Sequence, residues 1–333
     1  MLHVHRAERA DTLARALADV LREPLADPFA VEIVAVPAKG VERWLAQRLS
    51  HHLGTAPGGG DGICAGVSFP SPASVVTAAV CGVVGVEARE DPWRPERLVW
   101  PLLEVIDACA GEPWCVALDA YLAGAQRRGR RHATARRLAE LFASYAAHRP
   151  SMLRAWQDGA DAPGDLAWQS ELWRRLRKRI GLPGPAERLA TAVDVLRAGP
   201  ALPELPARLS LFGPTRLTTE HLTVLGALAE HREVHLWLPH PSPVLWSRVA
   251  PLCEVGVVPA RAADPTASVV THPLLSSLGR DVRELQVGLL AHAPDLIDHH
   301  HPAQDPRATL LGRLQQALRD DRVPEPTPIT DDD

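Results

Sequence analysis

Short apolar runs alternate with helical periodicities over the first ninety residues. Residues 2–6 alternate weakly between apolar and polar positions and predict a short strand, and the apolar side chains of residues 7–25 recur at helical spacing. A β-branched run at residues 31–36 predicts a buried strand that ends at Pro37, and residues 41–53 return to helical spacing. A strand–turn–helix unit therefore organises this part of the chain.

The stretch at residues 91–198 has helical patterns only. One helix has apolar side chains at i, i+3, i+4 and i+7, which are Leu138, Leu141, Phe142 and Tyr145. A second has an apolar side chain every fourth residue, at Trp168, Leu172, Leu176 and Ile180. Because helical spacing predicts burial, we interpret the tryptophans on these helices as core residues.

The β signal returns in the last third of the chain. Residues 208–213 predict one strand and residues 233–239 another. The helix predicted between them covers residues 218–231, with Thr218 or Thr219 as its cap. A strand, a helix and a strand at this spacing form a βαβ unit, whose two strands are parallel.

The C-terminal part is predicted as loop over residues 251–271 and as one helix over residues 273–291. The end of the chain, residues 321–333, is rich in Pro and Asp, and we expect it to be disordered. The whole order of elements predicts an α/β fold in which a parallel sheet is split by a large all-helical insertion.

Composition narrows the class of protein. The apolar share of 46% suits a globular protein with a sizeable core, and no apolar run is long enough to span a membrane. The N-terminus lacks the charged start and apolar stretch of a signal peptide, so we expect a cytoplasmic location and no membrane partner. Five cysteines are scattered without a C-x-x-C pair, which argues against a disulfide framework or a zinc site.

Charge is distributed unevenly along the chain. The net charge is −4, yet residues 121–188 contain 14 Lys and Arg against 6 Asp and Glu. A basic middle segment favours a polyanionic partner, because clustered guanidinium groups release counterions from a phosphate backbone. The same runs are also typical of a solvated helix face. The candidate DNA-binding side chains on these helices are Arg127, Arg128, Arg130, Arg131, Arg174, Arg175, Arg177 and Lys178.

A nucleotide-hydrolysing motor requires a phosphate cradle, G-x-x-x-x-G-K-[ST], between a strand and a helix. The matching place here has one glycine, Gly40, with Lys39 on the wrong side of it and no Ser or Thr after it. Pro37 also removes one N–H donor from the turn. We therefore expect no ATP hydrolysis and no cofactor. The Gly-rich residues 54–66 lack a following Lys-Ser/Thr and are interpreted as a flexible linker.

The most metal-like cluster is His299, His300 and His301, with Asp295 and Asp298 nearby. We interpret this cluster as part of a loop, on which neighbouring histidines point in different directions, whereas a metal site needs ligands held on rigid elements. No G-x-S-x-G, H-E-x-x-H or spaced acidic nuclease signature occurs. The sequence therefore predicts neither a metal site nor a catalytic residue.

Nine segments, taken together and in order, resemble the N-terminal part of the RecC family, the gamma subunits of exodeoxyribonuclease V (the RecBCD complex). They are DPF (27–29), EIVAV (32–36), GVERWL (40–45), FPSPAS (69–74), AELFASY (139–145) with HRP (148–150), WQSELW (168–173), LFG (211–213), HLWL (235–238) and PLLSSLGRD (273–281). The resemblance covers nearly the whole chain.

The resemblance implies a helicase-like (RecA-like) fold whose ATP site has decayed. By analogy with helicase domains, residues 1–90 and 205–320 are expected to be 1A-like and residues 91–204 to be a 1B-like insertion. The family subunit holds RecB-like and RecD-like partners, helps to split the duplex and channels single strands. In the best-known members its tunnel for the 3′ strand recognises Chi. Family members are longer, so we expect this chain to be an N-terminal fragment or a truncated product.

The tunnel-lining positions of the family's first domain fall near Lys39, Arg43, Ser71 and Thr77, which become candidate DNA contacts. Lys39 and Arg43 would bind phosphates. Trp44 has two interpretations, since it can stack on a base or belong to the apolar face of its helix.

Three functions follow as hypotheses. The chain is a non-catalytic subunit, or a fragment of one, that binds a single strand or a fork in double-strand break repair and recombination. Alternatively it is an active helicase or nuclease, which the missing cradle disfavours. The third reading is a purely protein-binding scaffold or a truncated non-functional fragment, against which the basic middle segment argues.

Overall fold

The computed structural model describes residues 1–27, 29–54, 62–123, 129–199, 201–202, 205–293, 295–302 and 309–324. Two compact units divide the chain: Met1–Ala79 with Gly199–Asp333 form the first, and Val80–Ala198 form the second. None of the helices in the described ranges is long and apolar enough to cross a membrane.

The described strands all belong to the first unit. They are β1 (Leu2–Ala7), β2 (Glu32–Ala35), β3 (Val67–Ser68), β4 (Arg208–Phe212), β5 (Glu233–Pro239) and β6 (Ile297–His300). The α-helices in chain order are α1 (Ala10–Leu21), α2 (Lys39–Ser50), α3 (Pro72–Val84), α4 (Pro95–Ala108), α5 (Val116–Leu122), α6 (Arg130–His148), α7 (Pro150–Gln157), α8 (Ala167–Ile180), α9 (Pro185–Arg197), α10 (Thr219–Ala229), α11 (Pro243–Val249), α12 (Pro273–Ser277), α13 (Arg280–His292) and α14 (Leu310–Arg319).

The six strands form one sheet in the order β3-β2-β4-β5-β1-β6, and every pairing is parallel. The predicted βαβ unit appears as β4, α10 and β5, with Thr218 as the helix cap, because its side chain accepts from the backbone N–H of His221. Each strand needs a crossover helix to return in parallel, so helices follow β1, β2, β4 and β5. The predicted α/β fold with a parallel sheet is confirmed.

The core of the first unit lies between the sheet and its helices. On one face, Leu13 and Leu17 of α1 and Leu45 and Leu49 of α2 pack against a sheet surface that includes Trp237. All five are almost inaccessible to solvent. The spacing of four within each helix places both leucines on the same face, which is why these helices form here and cover the sheet.

The second unit is helical, and α4, α6 and α8 enclose its core. Leu102, Phe142 and Trp173 are buried there, and the ring of Phe142 meets that of Trp173 edge to face with centroids 5.3 Å apart. Trp93, in the turn before α4, and Trp156 of α7 are buried in the same cluster. Trp100 of α4 is 64% exposed, so the prediction that the tryptophans of these helices are core residues is wrong for Trp100. That these units are helicase-like remains a prediction.

One predicted helix is two helices. The sequence predicts a continuous helix over residues 273–291, whereas α12 ends before Gly279 and α13 begins after it. The backbone N–H groups of Leu278 and Gly279 both donate to the carbonyl of Leu274, which closes α12. A Cβ at Gly279 would lie 2.7 Å from the carbonyl oxygen of Leu275, so this close approach requires glycine.

The histidine run is a strand, not a loop. Residues Ile297–His300 form β6, which pairs in parallel with β1 at the edge of the sheet. Asp and His have little strand propensity, so the pairing with β1 decides the conformation and the local pattern does not.

The start of the predicted disordered tail is ordered. Asp321 is 2% exposed, and its carboxylate accepts from the backbone N–H groups of Thr271 and His272 and pairs with Arg248. A buried carboxylate with these partners anchors the end of α14. Residues 325–333, and residues 55–61 of the predicted flexible linker, lie outside the described residues.

Candidate nucleic-acid interface

The turn between β2 and α2 is short, and the cation next to it, Lys39, is paired with Glu42. Ala38 precedes the helix in extended conformation, and Lys39 is the first helical residue. The Lys39 side chain is 83% exposed, and its Nζ lies 2.8 Å from Glu42 Oε2, one turn further along the helix. The lysine therefore faces solvent and its own helix, where a phosphate would have to compete with Glu42.

The candidate tunnel positions lie along two neighbouring loops of the first unit. The backbone N–H of Val36, after β2, donates to the carbonyl of Pro70, after β3, at 2.9 Å, so the segments leading to Lys39 and Ser71 run side by side. Ser71 is exposed, and its Oγ lies 2.8 Å from that of Ser74. Polar groups thus collect at the carboxyl end of β2 and β3, where open α/β sheets bind ligands.

Arg43 and Thr77 are exposed on the helices that follow these loops. Arg43 has no carboxylate partner among the described residues, so it is a free cation at this end of the sheet. Trp44 packs against the core cluster, with its ring centroid 6.1 Å from that of Phe212, and the Arg48 guanidinium lies 5.8 Å from the Trp44 ring. Core packing leaves only part of the Trp44 ring accessible.

The arginines of α8 are bound by carboxylates. Arg174 pairs with Asp161 and Glu171, at 2.8 and 2.9 Å, and Arg175 pairs with Glu171 at 2.8 Å. The hydrogen bond from Arg175 is the largest of the effects that lower the pKa of Glu171. These contacts tie α8 to its own neighbourhood and leave little free positive charge for a phosphate.

Two further predicted cations are also paired. Arg177 donates to Glu187 at 2.7 Å, and Arg131 pairs with Asp107. Lys178 is exposed and has no carboxylate partner within the described part of the chain. Arg127 and Arg128 lie outside the described residues. The second unit is therefore less basic at its surface than the count of arginines indicates.

A groove of about 680 Å³ opens between α5, α6 and α8 of the second unit. Its charged and aromatic lining consists of Tyr121, Arg130, Arg137, Glu140 and Trp168. On α6 the residues Arg130, Thr134, Arg137 and Leu141 follow i, i+4, i+7 and i+11, which places them along one side of the helix. The groove is therefore a continuous surface with two guanidinium groups and two aromatic rings.

The two groove arginines have no carboxylate partner among the described residues, unlike those of α8. The Arg130 guanidinium lies 4.8 Å from the Tyr121 ring centroid, and its Nη1 donates to the Tyr121 carbonyl at 3.2 Å. Glu140 lies at the groove edge and is bound by Arg136 at 3.2 Å. Guanidinium groups without a described carboxylate partner, beside aromatic rings, are a combination that can bind the phosphates and bases of a single strand.

Sequence reasoning included Arg130 in the candidate set and missed its neighbours. Tyr121 follows Leu118 by three residues, at helical spacing, so its sequence pattern does not distinguish it from a core residue, yet it is 53% exposed in the structure. Trp168 was predicted to be core, and it is packed against the core yet also lines the groove. The spacing of Arg130 and Arg137 by seven residues is the pattern that places both on one side of α6.

The histidine run meets other histidines. His299 Nε2 lies 3.0 Å from His3 Nδ1, and His301 Nε2 lies 3.1 Å from His5 Nδ1. Across the described residues, no group of three or more His, Cys, Asp and Glu side chains is arranged to hold a metal ion. The prediction that this chain has no metal site stays a prediction.

Comparison with known proteins places the chain in one family. The family model described as "RecC, N-terminal domain" matches residues 2–321. The chain is 50% identical over 324 residues to a protein of Mycobacterium tuberculosis (strain H37Rv) named "RecBCD enzyme subunit RecC", which covers 94% of this chain and 29% of that protein.

Two more relatives have the same name. The protein of Mycolicibacterium smegmatis is 47% identical over 329 residues, which is 97% of this chain and 28% of that protein. The protein of Escherichia coli (strain K12) is 27% identical over 259 residues, 75% of this chain and 22% of that protein. The chain thus spans less than a third of the length of these curated relatives.

Proposed function

The chain belongs to the RecC N-terminal domain family, and we propose that it is the part of a RecC-type subunit that guides a DNA strand without hydrolysing ATP or cutting DNA. The observation that carries this proposal is the family match over residues 2–321. The turn after β2 supports it, because Lys39 is bound to Glu42 and precedes the single glycine of that turn.

The proposed contact with a single strand lies in the groove of the second unit. Arg130 and Arg137 supply positive charge that no described carboxylate neutralises, and Tyr121 and Trp168 supply flat apolar surfaces for bases. Guanidinium groups and ring faces contact phosphates and bases without distinguishing one base from another. Binding there is therefore proposed to depend on the backbone and on stacking, with little choice of sequence.

A second proposed contact lies at the carboxyl end of β2 and β3 in the first unit. Arg43 is a cation without a described carboxylate partner there, and Lys39, Ser71 and Thr77 are exposed polar side chains on the loops and helices that follow the same two strands. Helicase-like 1A and 1B roles for the two units are part of the same proposal. Loss of affinity on replacing Arg43 by Glu tests whether this end of the sheet touches DNA.

We further propose that the chain assembles with RecB-like and RecD-like subunits in the cytoplasm and acts in double-strand break repair and recombination. The support is the name that the relatives share, "RecBCD enzyme subunit RecC". Because the chain spans less than a third of those proteins, activity and partners of the whole protein are inferred from family membership alone.

The groove is tested by charge reversal. Replacing Arg130 and Arg137 by Glu removes two phosphate contacts, and we expect binding of a fluorescent single-stranded oligothymidine to weaken at least tenfold in low salt. The slope of log affinity against log salt should fall by roughly 1.4, since each contact on a single strand contributes about 0.7. Fluorescence anisotropy over a salt series measures both quantities.

The matched control replaces Arg89 and Arg154 by Glu. The change in net charge is identical, and these exposed side chains do not line the groove. Equal weakening by both double variants would show a general charge effect and contradict the groove. DNA-stimulated ATP hydrolysis by the unmodified chain would contradict the non-catalytic role.

A protein-binding scaffold is the second candidate function. The observation that favours it is the pairing of Arg174, Arg175 and Arg177 with carboxylates, which removes much of the basic surface. A scaffold predicts no measurable binding of single-stranded or forked DNA at low salt, so the same anisotropy series separates the two functions.

A further inference from the structure

Five imidazole rings lie together on one face of three adjacent strands. His3 and His5 come from β1, His235 from β5, His299 from β6, and His301 directly follows β6. Side chains two residues apart on a strand share a face, and parallel register brings the three strands level. These five rings are called the imidazole cluster below.

Hydrogen bonds connect the rings across the strands. His5 stands in the middle, with its Nδ1 3.1 Å from His301 Nε2 and its Nε2 3.0 Å from His235 Nδ1. His3 Nδ1 lies 3.0 Å from His299 Nε2. The ring centroids of His5 and His299 are 4.5 Å apart, so β6 contacts β1 through rings as well as backbone.

These contacts suit neutral rings. A neutral imidazole has one N–H donor and one acceptor, so His5 can donate to one neighbour and accept from the other. Protonated neighbours would bring N–H groups face to face and place positive charges within about 5 Å of one another. At that distance in a partly buried site, the positive charges repel each other strongly.

Burial adds to this preference for the neutral form. His5 and His235 are 5% and 6% exposed. Burial, with the neighbouring histidines, lowers the pKa of His5 to about 2, and burial lowers the pKa of His235 to about 4. Burial also lowers the pKa values of His3 and His301.

The charged groups facing the cluster do not offset this effect. Glu233 of β5 lies 3.8 Å from His235 Nε2, and Asp19 of α1 faces His301; both favour protonation. Arg208 of β4 and the N-terminal amine oppose it, at His235 and His3 respectively. Two carboxylates therefore favour protonation of the cluster, whereas two cations and the mutual repulsion of five protonated rings oppose it.

The strand β6 has few other attachments. It is the edge strand, and its described backbone partner is β1, through four residue pairs. On the opposite face of the sheet, Asp298 accepts from Arg6 Nε at 2.9 Å. Edge strands with few buried apolar contacts open at the lowest free-energy cost in a fold, and all four side chains of β6 are at least partly exposed.

We propose that β6 is a proton-sensitive edge strand, which stays on the sheet while the imidazole cluster is neutral and detaches when the cluster takes up protons. In the detached state the rings regain ordinary hydration, so this state binds more protons below about pH 6.5. Docking is therefore favoured above that pH and weakens as pH falls. For each ring that regains its ordinary pKa, the equilibrium constant for detachment of β6 rises by up to about tenfold for each unit by which the pH falls.

Hydrogen exchange of the full chain, read by mass spectrometry at pH 7.5 and 5.5, tests the proposal. After correction for the intrinsic effect of pH on exchange, we expect peptides over residues 295–302 to lose protection at least tenfold at the lower pH. Peptides from β4 and α8 should keep theirs, which separates opening of the edge from unfolding of either unit.

Variants assign the effect to the cluster. Replacing His299 and His301 by Gln keeps polar side chains that take up no proton, and the loss of protection between the two pH values should shrink by at least half. The control is His51→Gln, which replaces an exposed histidine of the same unit outside the cluster and should respond like the unmodified chain. Unchanged protection of β6 at pH 5.5, loss of β4 protection at the same pH, or a full response in the double variant would each overturn the proposal.

Discussion

Buried arginines are the side chains whose partners matter most for stability. Arg6, Arg188, Arg208 and Arg283 are each at most 6% exposed, and each pairs with a carboxylate far away in the chain. A guanidinium cannot shed its charge, so burial without a partner leaves the whole desolvation penalty uncompensated. Each pair therefore joins segments that the sequence alone does not connect.

The pair of Arg188 and Asp91 allows a direct test. Its Nη1 and Oδ2 are 3.0 Å apart, and both side chains are less than a tenth exposed. Replacing Asp91 by Ala should lower the free energy of unfolding by about 3–5 kcal/mol, because an unpaired buried charge remains. Urea unfolding followed by circular dichroism measures the change.

The control for that test is Glu96→Ala, which removes the exposed partner of Arg94, 3.4 Å away. Its expected cost is below about 1 kcal/mol, as for other surface pairs. Equal losses in the two variants would mean that burial of Arg188 contributes nothing beyond an ordinary surface contact.

The sequence identified some of the candidate binding residues but not which of their side chains are available for binding. The arginine runs identified the helices, but whether each guanidinium is free depends on distant carboxylates, such as Glu187 for Arg177 and Asp107 for Arg131. The missing phosphate cradle needed no structure, since it is a local pattern. Tyr121 joins the groove only because α5 and α6 pack together, and no local signal reports that packing.

At the scale of elements, strong local patterns were predicted well and weak ones were not. The strands at 208–212 and 233–239 are mainly apolar, each with one polar residue in its interior, Ser210 and His235, and both are confirmed. The strand β6 has the sequence IDHH, which has no alternating pattern, and it exists because β1 offers a free edge. Local propensity fails where tertiary pairing supplies the free energy.

Replacing Gly279 by alanine tests the break between α12 and α13, and the same change at Gly226 provides the comparison. Gly279→Ala should destabilise the chain by about 1–3 kcal/mol, because the new Cβ would lie 2.7 Å from a backbone oxygen. Gly226→Ala in α10 should instead stabilise it by up to about 1 kcal/mol, since nothing lies within 4 Å of that Cβ and alanine favours a helix. Thermal unfolding of the two variants gives the sign of each change.

A stabilising effect of alanine at position 279 would mean that α12 and α13 can merge into the single helix that the periodicity predicts. Destabilisation at both positions would instead indicate that α10 has no room for a methyl group. The two glycines thus report separately on the junction and on ordinary helix propensity.

At the scale of the whole molecule, the chain is a discontinuous sheet unit with a helical unit inserted between its halves. The insertion was predictable because the change from strand and helix signals to helix signals alone is abrupt. The groove of the helical unit was not predictable, since it depends on how α5, α6 and α8 pack together.

Assembly is the prediction that belongs to this scale. A tagged copy of the chain, co-expressed with RecB-like and RecD-like proteins from a related mycobacterium, is expected to retain them through affinity purification in moderate salt. Mass spectrometry of the eluate identifies the retained chains, and an untagged preparation is the control. Absence of both partners from the eluate would restrict the proposed role to DNA contact.

The order of the strands also governs how the protein is made. The described partners of β1 are β5 and β6, and β2 completes its pairing with β4. Both early strands therefore pair fully only after the ribosome has synthesised later parts of the chain. About 140 residues separate β3 from β4, which at ~5–20 residues per second is roughly 7–28 s of synthesis. During that interval β1 and β2 lack the neighbouring strands that complete the sheet, and Val4 and Val34 are not yet buried. The exposed apolar segments can then bind chaperones or associate with another nascent chain on the same messenger RNA.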